Sequence, residues 1–244
     1  NKNIYYKLSK NIDNKVTDDF GREWETFTQE QLTNKELELL FNRYFKILDF
    51  SKISKNSVGF DLGCGTGRWA KLVAKKIKHL HCIDPSDAIE VCRKNLSNLN
   101  NCSFHKAGVS DLPLVDNSMD LGYSLGVLHH LPDTLQGLRN CVEKLKPGAP
   151  FLLYIYYSFD NKPKWYFYIW KISDLIRIII SKLPYSFKKI FSFLIALFIY
   201  FPFAKFSKIF VFFKISIKNL PLSAYQNSSF YTMFTDSYDR FCTR

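Results

Sequence analysis

Val58-Gly59-Phe60-Asp61-Leu62-Gly63-Cys64-Gly65-Thr66-Gly67 is the stretch whose reading decides the fold. Val58 to Leu62 supplies β-prone apolar residues for a buried strand, and three glycines at alternate positions break it. Arg68-Trp69-Ala70-Lys71-Leu72-Val73-Ala74-Lys75-Lys76 then carries apolar residues at helical spacing. Glycines at that junction admit positive φ and let a ligand approach where a Cβ would stand. The new helix offers unpaired N–H groups to the same ligand. Any tight strand-to-helix turn uses glycine, so the downstream residues must say which ligand is meant.

Outward from this turn, strand and helix alternate as far as Tyr157. Leu80 to Ile83 is a second strand, and Asp84-Pro85-Ser86-Asp87 caps a helix from Ala88 to Leu96. Ser103 to Ala107 is a third strand, Leu121 to Leu125 a fourth, and Phe151 to Tyr157 a fifth. Between the last two, Leu135, Leu138, Val142 and Leu145 put Thr134 to Leu145 on a helix. The alternation predicts an α/β fold: a Rossmann-like, doubly wound, mostly parallel sheet joined by right-handed crossovers, with a helical insertion after the fifth strand. Its ligand belongs at the carboxyl ends of the strands, near the switch point.

Four segments follow. Residues 1–50 read as an N-terminal helical cap, with Leu37, Leu40, Phe41, Tyr44, Phe45 and Leu48 on one face of a helix from Asn34 to Phe50. Residues 51–158 are the cofactor-binding core. Residues 159–222 are a basic, aromatic helical insertion punctuated by Pro184, Pro202 and Pro221, and 223–244 a polar, aromatic loop facing the substrate. The longest charge-free run of the insertion, Ile190 to Ala204, is fifteen residues and holds Pro202, short of the roughly 20 needed to span a bilayer. A lid, a buried hairpin and an interfacial helix all suit it.

Apolar residues make up 47% of the 244 and charged ones 23%, a globular balance. The six cysteines form no C-x-x-C pair and have no partnering His cluster, which argues against a metal site and a disulfide scaffold. Asn1 to Lys15 is polar and mixed in charge, unlike a secretory signal, so the cytoplasm is the expected location. The net charge of +12 is concentrated: residues 161–220 hold eleven Lys and Arg and one acid, Asp174. An AT-rich genome explains why 26 of the 34 basic residues are Lys, but not the scarcity of acids in this segment alone.

The ligand class comes from two carboxylates. Asp84 lies 17 residues beyond Gly67, close to the interval at which nucleotide-binding folds put a carboxylate on ribose hydroxyls. A dinucleotide fold wants G-x-G-x-x-G, whereas here Gly63-x-Gly65-x-Gly67 is followed by bulky Arg68 and Trp69, with Asp61 just before it. A carboxylate near the turn repels a pyrophosphate and attracts an ammonium or sulfonium. The expected ligand is a nucleoside with a cationic tail.

With these residues in view, the chain resembles the class I S-adenosylmethionine-dependent methyltransferases, type 11-like. The resemblance runs through Val58 to Arg68, Ile83-Asp-Pro-Ser86, Asp111 to Asp120, Ser124 to Asp133 and Leu145-Lys-Pro-Gly148, over roughly residues 15–157. Phe20-Gly-x-x-Trp24 is similar to a subgroup in which that segment folds over the cofactor. The resemblance implies that Gly63, Gly65 and Gly67, with Cys64 and Thr66, shape the turn around the methionine part. It places Asp61 at the amino acid end, Asp84 with Pro85 and Ser86 at the ribose, and Leu125 and Gly126 beside the cofactor. Where the family often has an acid on the adenine, this chain has Gly108, so Val109, Ser110 and Asp111 are expected to supply that contact.

His130 and His129 lie near the methyl group in the resembled family, and either suits a base if the acceptor is a hydroxyl. For either alone, a packed or capping histidine is the better expectation. Trp24, Tyr231, Thr235, Asp236 and Arg240 are the candidate substrate-binding residues.

The expected function is methyl transfer from S-adenosylmethionine, leaving S-adenosylhomocysteine, to a small or amphipathic acceptor. A membrane-associated enzyme acting on a lipid-like or lipid-linked saccharide acceptor is the rival within enzymes; a non-catalytic cofactor-binding regulatory subunit is the rival outside them. An anionic membrane surface is a second candidate partner, with peripheral attachment to the inner face of the membrane. Nucleic acid is not expected, because the aromatics come in long apolar runs instead of being interleaved with Arg. The family's last two, antiparallel strands find no match after Asp160, so the chain reads as cut from a longer protein or as finishing its sheet differently.

Overall fold

The five expected strands all form in the computed structural model, which describes residues 4–6, 10–156, 159–217 and 219–243. They are β2 (Val58–Leu62), β3 (His79–Asp84), β4 (Cys102–Lys106), β5 (Leu121–Leu125) and β6 (Phe151–Tyr154). A further strand, β1 (Ile4–Tyr6), pairs with β4 at the sheet edge, so the N-terminal segment is not wholly the helical cap its pattern predicts. The order is β1-β4-β3-β2-β5-β6 and every pairing is parallel. β2 is central, with the chain filling one side and then the other, so the switch point falls between the carboxyl ends of β2 and β5.

Asp120 pins the start of β2 by accepting from Val58 N at 2.8 Å, while Lys146 Nζ holds its other oxygen at 2.6 Å. On one face of the sheet, Phe41 and Phe45 pack with Trp69, Leu80, Phe104 and Tyr123; Phe41 belongs to α2 (Asn34–Tyr44). On the other, Phe60, Ile83 and Val109 pack with Leu128 and with Cys141 of α5 (Thr134–Lys144). The helix read from Arg68 to Lys76 shortens to one turn, α3 (Ala70–Val73). The Asn101 side-chain amide takes the carbonyls of Ala74 and Ile77, and Lys78 N donates to Ser57 O, so the chain turns early into β3.

Two units divide the chain: residues 1–30 with 37–156, and residues 31–36 with 157–244. In the second, the segments read separately as 159–222 and 223–244 fall together. It holds α6 (Lys164–Ile180), α7 (Tyr185–Ile195), a π-helical turn (Ala196–Tyr200), α8 (Phe201–Phe212) and α9 (Phe230–Cys242).

Two readings need correction here. Tyr185–Phe212 is one helix of 28 residues, long and apolar enough by length and composition to cross a membrane. Pro202 does not interrupt it, because the wider π turn just before accommodates a ring that would clash with the carbonyl four residues back. The expected C-terminal loop is instead helix α9, capped by Ser229 Oγ accepting from Thr232 N at 3.2 Å and burying Met233, Tyr238 and Phe241. As the sequence reading expects, no strand follows Tyr154 among the described residues.

The sheet is closely packed at Gly122, where an added Cβ would lie 2.4 Å from Phe60 Cε1 and 3.0 Å from Phe151 Cδ2. Gly122→Ala is expected to cost about 1–3 kcal/mol of stability, read as a lower urea midpoint; an unchanged midpoint would show that the two rings yield freely.

Candidate functional site

At the switch point, the end of β2 turns through Gly63 at φ +74°, where a Cβ would sit 2.2 Å from Val127 Cγ2. The turn hangs on two strands' ends. Gly63 N and Cys64 N both donate to Ile83 O, at 2.7 and 3.1 Å. Asp84, at the end of β3, accepts from Gly65 N at 2.9 Å through Oδ2, and from Ser86 N and Ser86 Oγ at 2.9 and 2.6 Å through Oδ1. Ser86 Oγ in turn accepts from Ala88 N at 3.2 Å, at the start of α4 (Ala88–Asn95), so Asp84 fixes the glycine turn and the approach to this helix together.

These loops line one wall of a cavity of about 150 Å³. Asp61, Gly63, Cys64, Gly65 and Thr66 reach it from the glycine turn, and Asp84, Pro85 and Ser86 from the end of β3. Gly108 and Val109 follow from beyond β4, and Leu125, Gly126 and His130 from beyond β5. The opposite wall is α1 (Asn14–Thr26) and the residues before it: Asn11, Ile12, Asp13, Val16, Phe20 and Trp24. Trp24 is close enough that a Cβ on Gly65 would sit 3.4 Å from its Nε1.

This N-terminal strap is tied at both ends. Asn11 exchanges two hydrogen bonds of 2.8 Å with the backbone of Asp133, and the Asn95 side-chain amide bridges Thr28 O and Thr66 O at 2.9 and 3.0 Å. Asp13 caps α1 by accepting from Val16 N at 3.1 Å. Apart from Phe20 and Trp24, the sequence reading missed this wall; the signal available was the D-x-x-V cap at Asp13 followed by Val16, Phe20 and Trp24 at helical spacing.

Electrostatics single out Asp61. It is buried, and its Oδ2 accepts no hydrogen bond among the described residues. Burial pushes its carboxyl up to about 8; the nearby Tyr123 hydroxyl opposes the shift and the Asp84 charge adds to it. Burial also raises Asp84, against the hydrogen bonds from Ser86 and Gly65.

Several predicted residues do not reach the cavity wall. An added Cβ on Gly67 would meet Cys92 Sγ at 2.7 Å, so this glycine lets the turn pack on α4. Ser110 and Asp111 lie in the short helical turn after Gly108, beyond the wall that Gly108 and Val109 form. His129 packs against Tyr156 and His130 with tilted rings, each at 4.1 Å between centroids, and both its ring nitrogens are buried and unpartnered among the described residues; burial lowers its pKa. It is a packed histidine. His130 faces the cavity and meets the Phe20 ring edge-on at 5.0 Å.

The remaining substrate candidates are on α9 in the second unit. Thr235 is buried and its hydroxyl donates to Thr232 O at 3.0 Å, while Asp236 accepts from the Tyr225 hydroxyl at 2.8 Å, so both serve packing within that unit. Tyr231 and Arg240 share the same helix.

Residues 60–153, which carry the glycine turn, Asp61, Asp84 and His130, match the family model described as a methyltransferase domain. Over 103 residues the chain is 31% identical to the tRNA U34 carboxymethyltransferase of Desulfotalea psychrophila, covering 41% of this chain and 32% of that protein. Over 123 residues it is 31% identical to the demethylmenaquinone methyltransferase of Listeria welshimeri, covering 47% and 50%. The chain thus spans a third to a half of the length of these two curated relatives. A putative S-adenosyl-L-methionine-dependent methyltransferase from Methanococcus maripaludis aligns with a TM-score of 0.48 at 20% identity, over 61% of this chain and 68% of that one.

The cofactor of this domain family is S-adenosylmethionine, and the cavity fits it on two observations. The buried, unpartnered oxygen of Asp61 suits the ammonium of the methionine part. At Gly126, at φ +80°, an added Cβ would meet nothing within 4 Å, leaving backbone open to the cavity where a side chain would intrude.

Because the folded chain holds the Asp61 proton up to about pH 8, and the unfolded chain releases it near 3.8, the folded state binds more protons in between. Stability from this group therefore falls as pH rises across that window. Asp61→Asn is expected to stabilise the ligand-free chain at pH 8.5, relative to its effect at pH 5, by on the order of a few kcal/mol. Urea midpoints at the two pH values check this, and equal effects at both would contradict it.

Proposed function

We propose that the chain is an S-adenosylmethionine-dependent methyltransferase acting on a small or amphipathic acceptor. The observation that carries this reading is the buried carboxyl of Asp61, one oxygen of which has no hydrogen-bond partner among the described residues, beside a glycine turn in the region that matches the methyltransferase-domain family. When bound, the sulfonium supplies an already activated methyl group. Asp61 would hold the ammonium, and Gly63 and Gly65 let that end approach the backbone. Asp84 uses three of its roughly four acceptor positions within the protein, leaving one for a ribose hydroxyl. Gly108 and Val109 would border the base.

The strap would shield this space from water, with Ile12, Val16 and Phe20 giving it an apolar side that suits an amphipathic acceptor. Alignment of the acceptor supplies much of the rate in such a transfer. His130, which lines the cavity, would take a proton from a hydroxyl acceptor.

Calorimetry with S-adenosylhomocysteine tests the cofactor site. Wild-type affinity is expected to rise from pH 6 to pH 8 and level off above, as Asp61 is more easily ionised for its cationic partner. Asp61→Asn should bind about 10–100-fold more weakly, consistent with losing a charged hydrogen bond, and with a flatter pH dependence. Absence of binding by the wild type would end the reading. Transfer of labelled methyl groups from S-adenosylmethionine, assayed in parallel on lipid extracts, small metabolites and tRNA, tests the acceptor; labelling of tRNA alone would overturn the small or amphipathic class.

A further inference from the structure

The second unit carries its apolar residues outside. Sixteen of the twenty-eight residues of the Tyr185–Phe212 helix are large apolar side chains at least 37% exposed, among them Phe198 at 69% and Phe212 at 81%. What the helix buries is a narrow stripe at i, i+4 spacing, Ser192, Ala196, Tyr200 and Ala204, with Ser207 continuing it. α9 packs along α7 and the π turn, and Ser237 Oγ donates to Ser192 O at 2.6 Å. α6 repeats the pattern: Tyr168, Ile172, Leu175 and Ile179 are each more than 60% exposed.

Cations surround these faces. Lys171, Lys182, Lys189, Lys205, Lys208 and Lys214 are exposed, and two of them lie over aromatic rings of their own helices: Lys171 over Phe167 at 4.8 Å and Lys205 over Phe201 at 4.9 Å. Their apolar stems follow the surface while the charge stays at its edge. The acid of this stretch, Asp174, sits 4.0 Å from Arg177.

We infer that α6 and the Tyr185–Phe212 helix lie in the plane of an anionic lipid bilayer surface, apolar faces in the acyl boundary and lysines at the headgroups. Charge complementarity favours lipid, since exposed Lys and exposed aromatics share the same helices. Shape favours it as well. Leu197, Phe198 and Ile199 are consecutive and all exposed, so the apolar surface wraps around the helix and offers no groove. A fluid phase adapts to such a convex surface.

The helix does not cross. Within it, Lys189 and Lys205 bound a stretch of only fifteen uncharged residues, about 22 Å at 1.5 Å per residue, against a hydrocarbon core of about 30 Å. Its buried stripe is also bound to α9, which carries Asp236, Asp239 and Arg240 and would have to enter the lipid with it.

Flotation of the full chain without cofactor tests this independently of methyl transfer. Vesicles of phosphatidylcholine with roughly one third phosphatidylglycerol should bind it more strongly than phosphatidylcholine alone, and alkaline carbonate should release it. Lys205→Gln with Lys208→Gln should lower partitioning to the anionic vesicles about tenfold. Phe198→Ser with Phe206→Ser should weaken binding to both vesicle types, with an unchanged circular dichroism spectrum. A chain that stays unbound at both compositions, or that forms a stable oligomer and ignores vesicles, would overturn the proposal; resistance to carbonate would overturn the in-plane geometry.

Discussion

The carboxylate of Asp84 is the constraint on which the rest of the site depends. Its three hydrogen bonds join the end of β3 to Gly65 in the turn after β2 and to Ser86 before α4. Two adjacent strand ends and a helix start are thereby held at one buried point. The same burial that strengthens these bonds penalises charge, and it does so for Asp61 as well, one strand away. The two acids end up with different tasks: Asp84 is satisfied from within, whereas an oxygen of Asp61 is left to be satisfied from outside.

The N-terminal strap completes what the sheet leaves open. A Rossmann-like sheet presents its ligand crevice at the strand ends but supplies no roof. Here Asn11 is fastened to Asp133, in the connection after β5, and Thr28 to Asn95, on α4 after β3; β5 and β3 flank β2, so α1 is held across the crevice. Gly21 admits that approach, since a Cβ there would come within 3.3 Å of Ser86 Cβ. The strap's aromatic residues thus serve packing and enclosure at once.

The core was legible in the sequence because its signals are local and repeated. Val58 to Leu62 and Leu121 to Leu125 form strands at their predicted bounds, and Asp61 and Asp84 sit on the cavity as their positions relative to the glycines implied. What escaped was decided by distant partners. Asn101 shortens the helix after the glycine turn, a contact across 24 to 27 residues. The His129–His130 pair carries no sequence signal separating the buried ring from the one on the cavity; only the Tyr156 and Phe20 rings do that. Strand β1 is three residues long, too short for alternation to register.

The second unit shows a different kind of illegibility. Proline in a run of fifteen uncharged residues argued for an interruption, because a regular helix loses a hydrogen bond and gains a clash there. A π turn removes that conflict by widening the helix before the ring arrives, which no residue pattern announces. Once the helix continues, hydrophobicity on all its sides stops being evidence of burial. A soluble core would have to surround such a helix, and α9 covers only a stripe of serines, alanines and one tyrosine. The lysine excess then acquires a physical context that composition alone withheld: the charges lie among uncovered aromatics, the arrangement that a hydrocarbon surface with anionic headgroups complements.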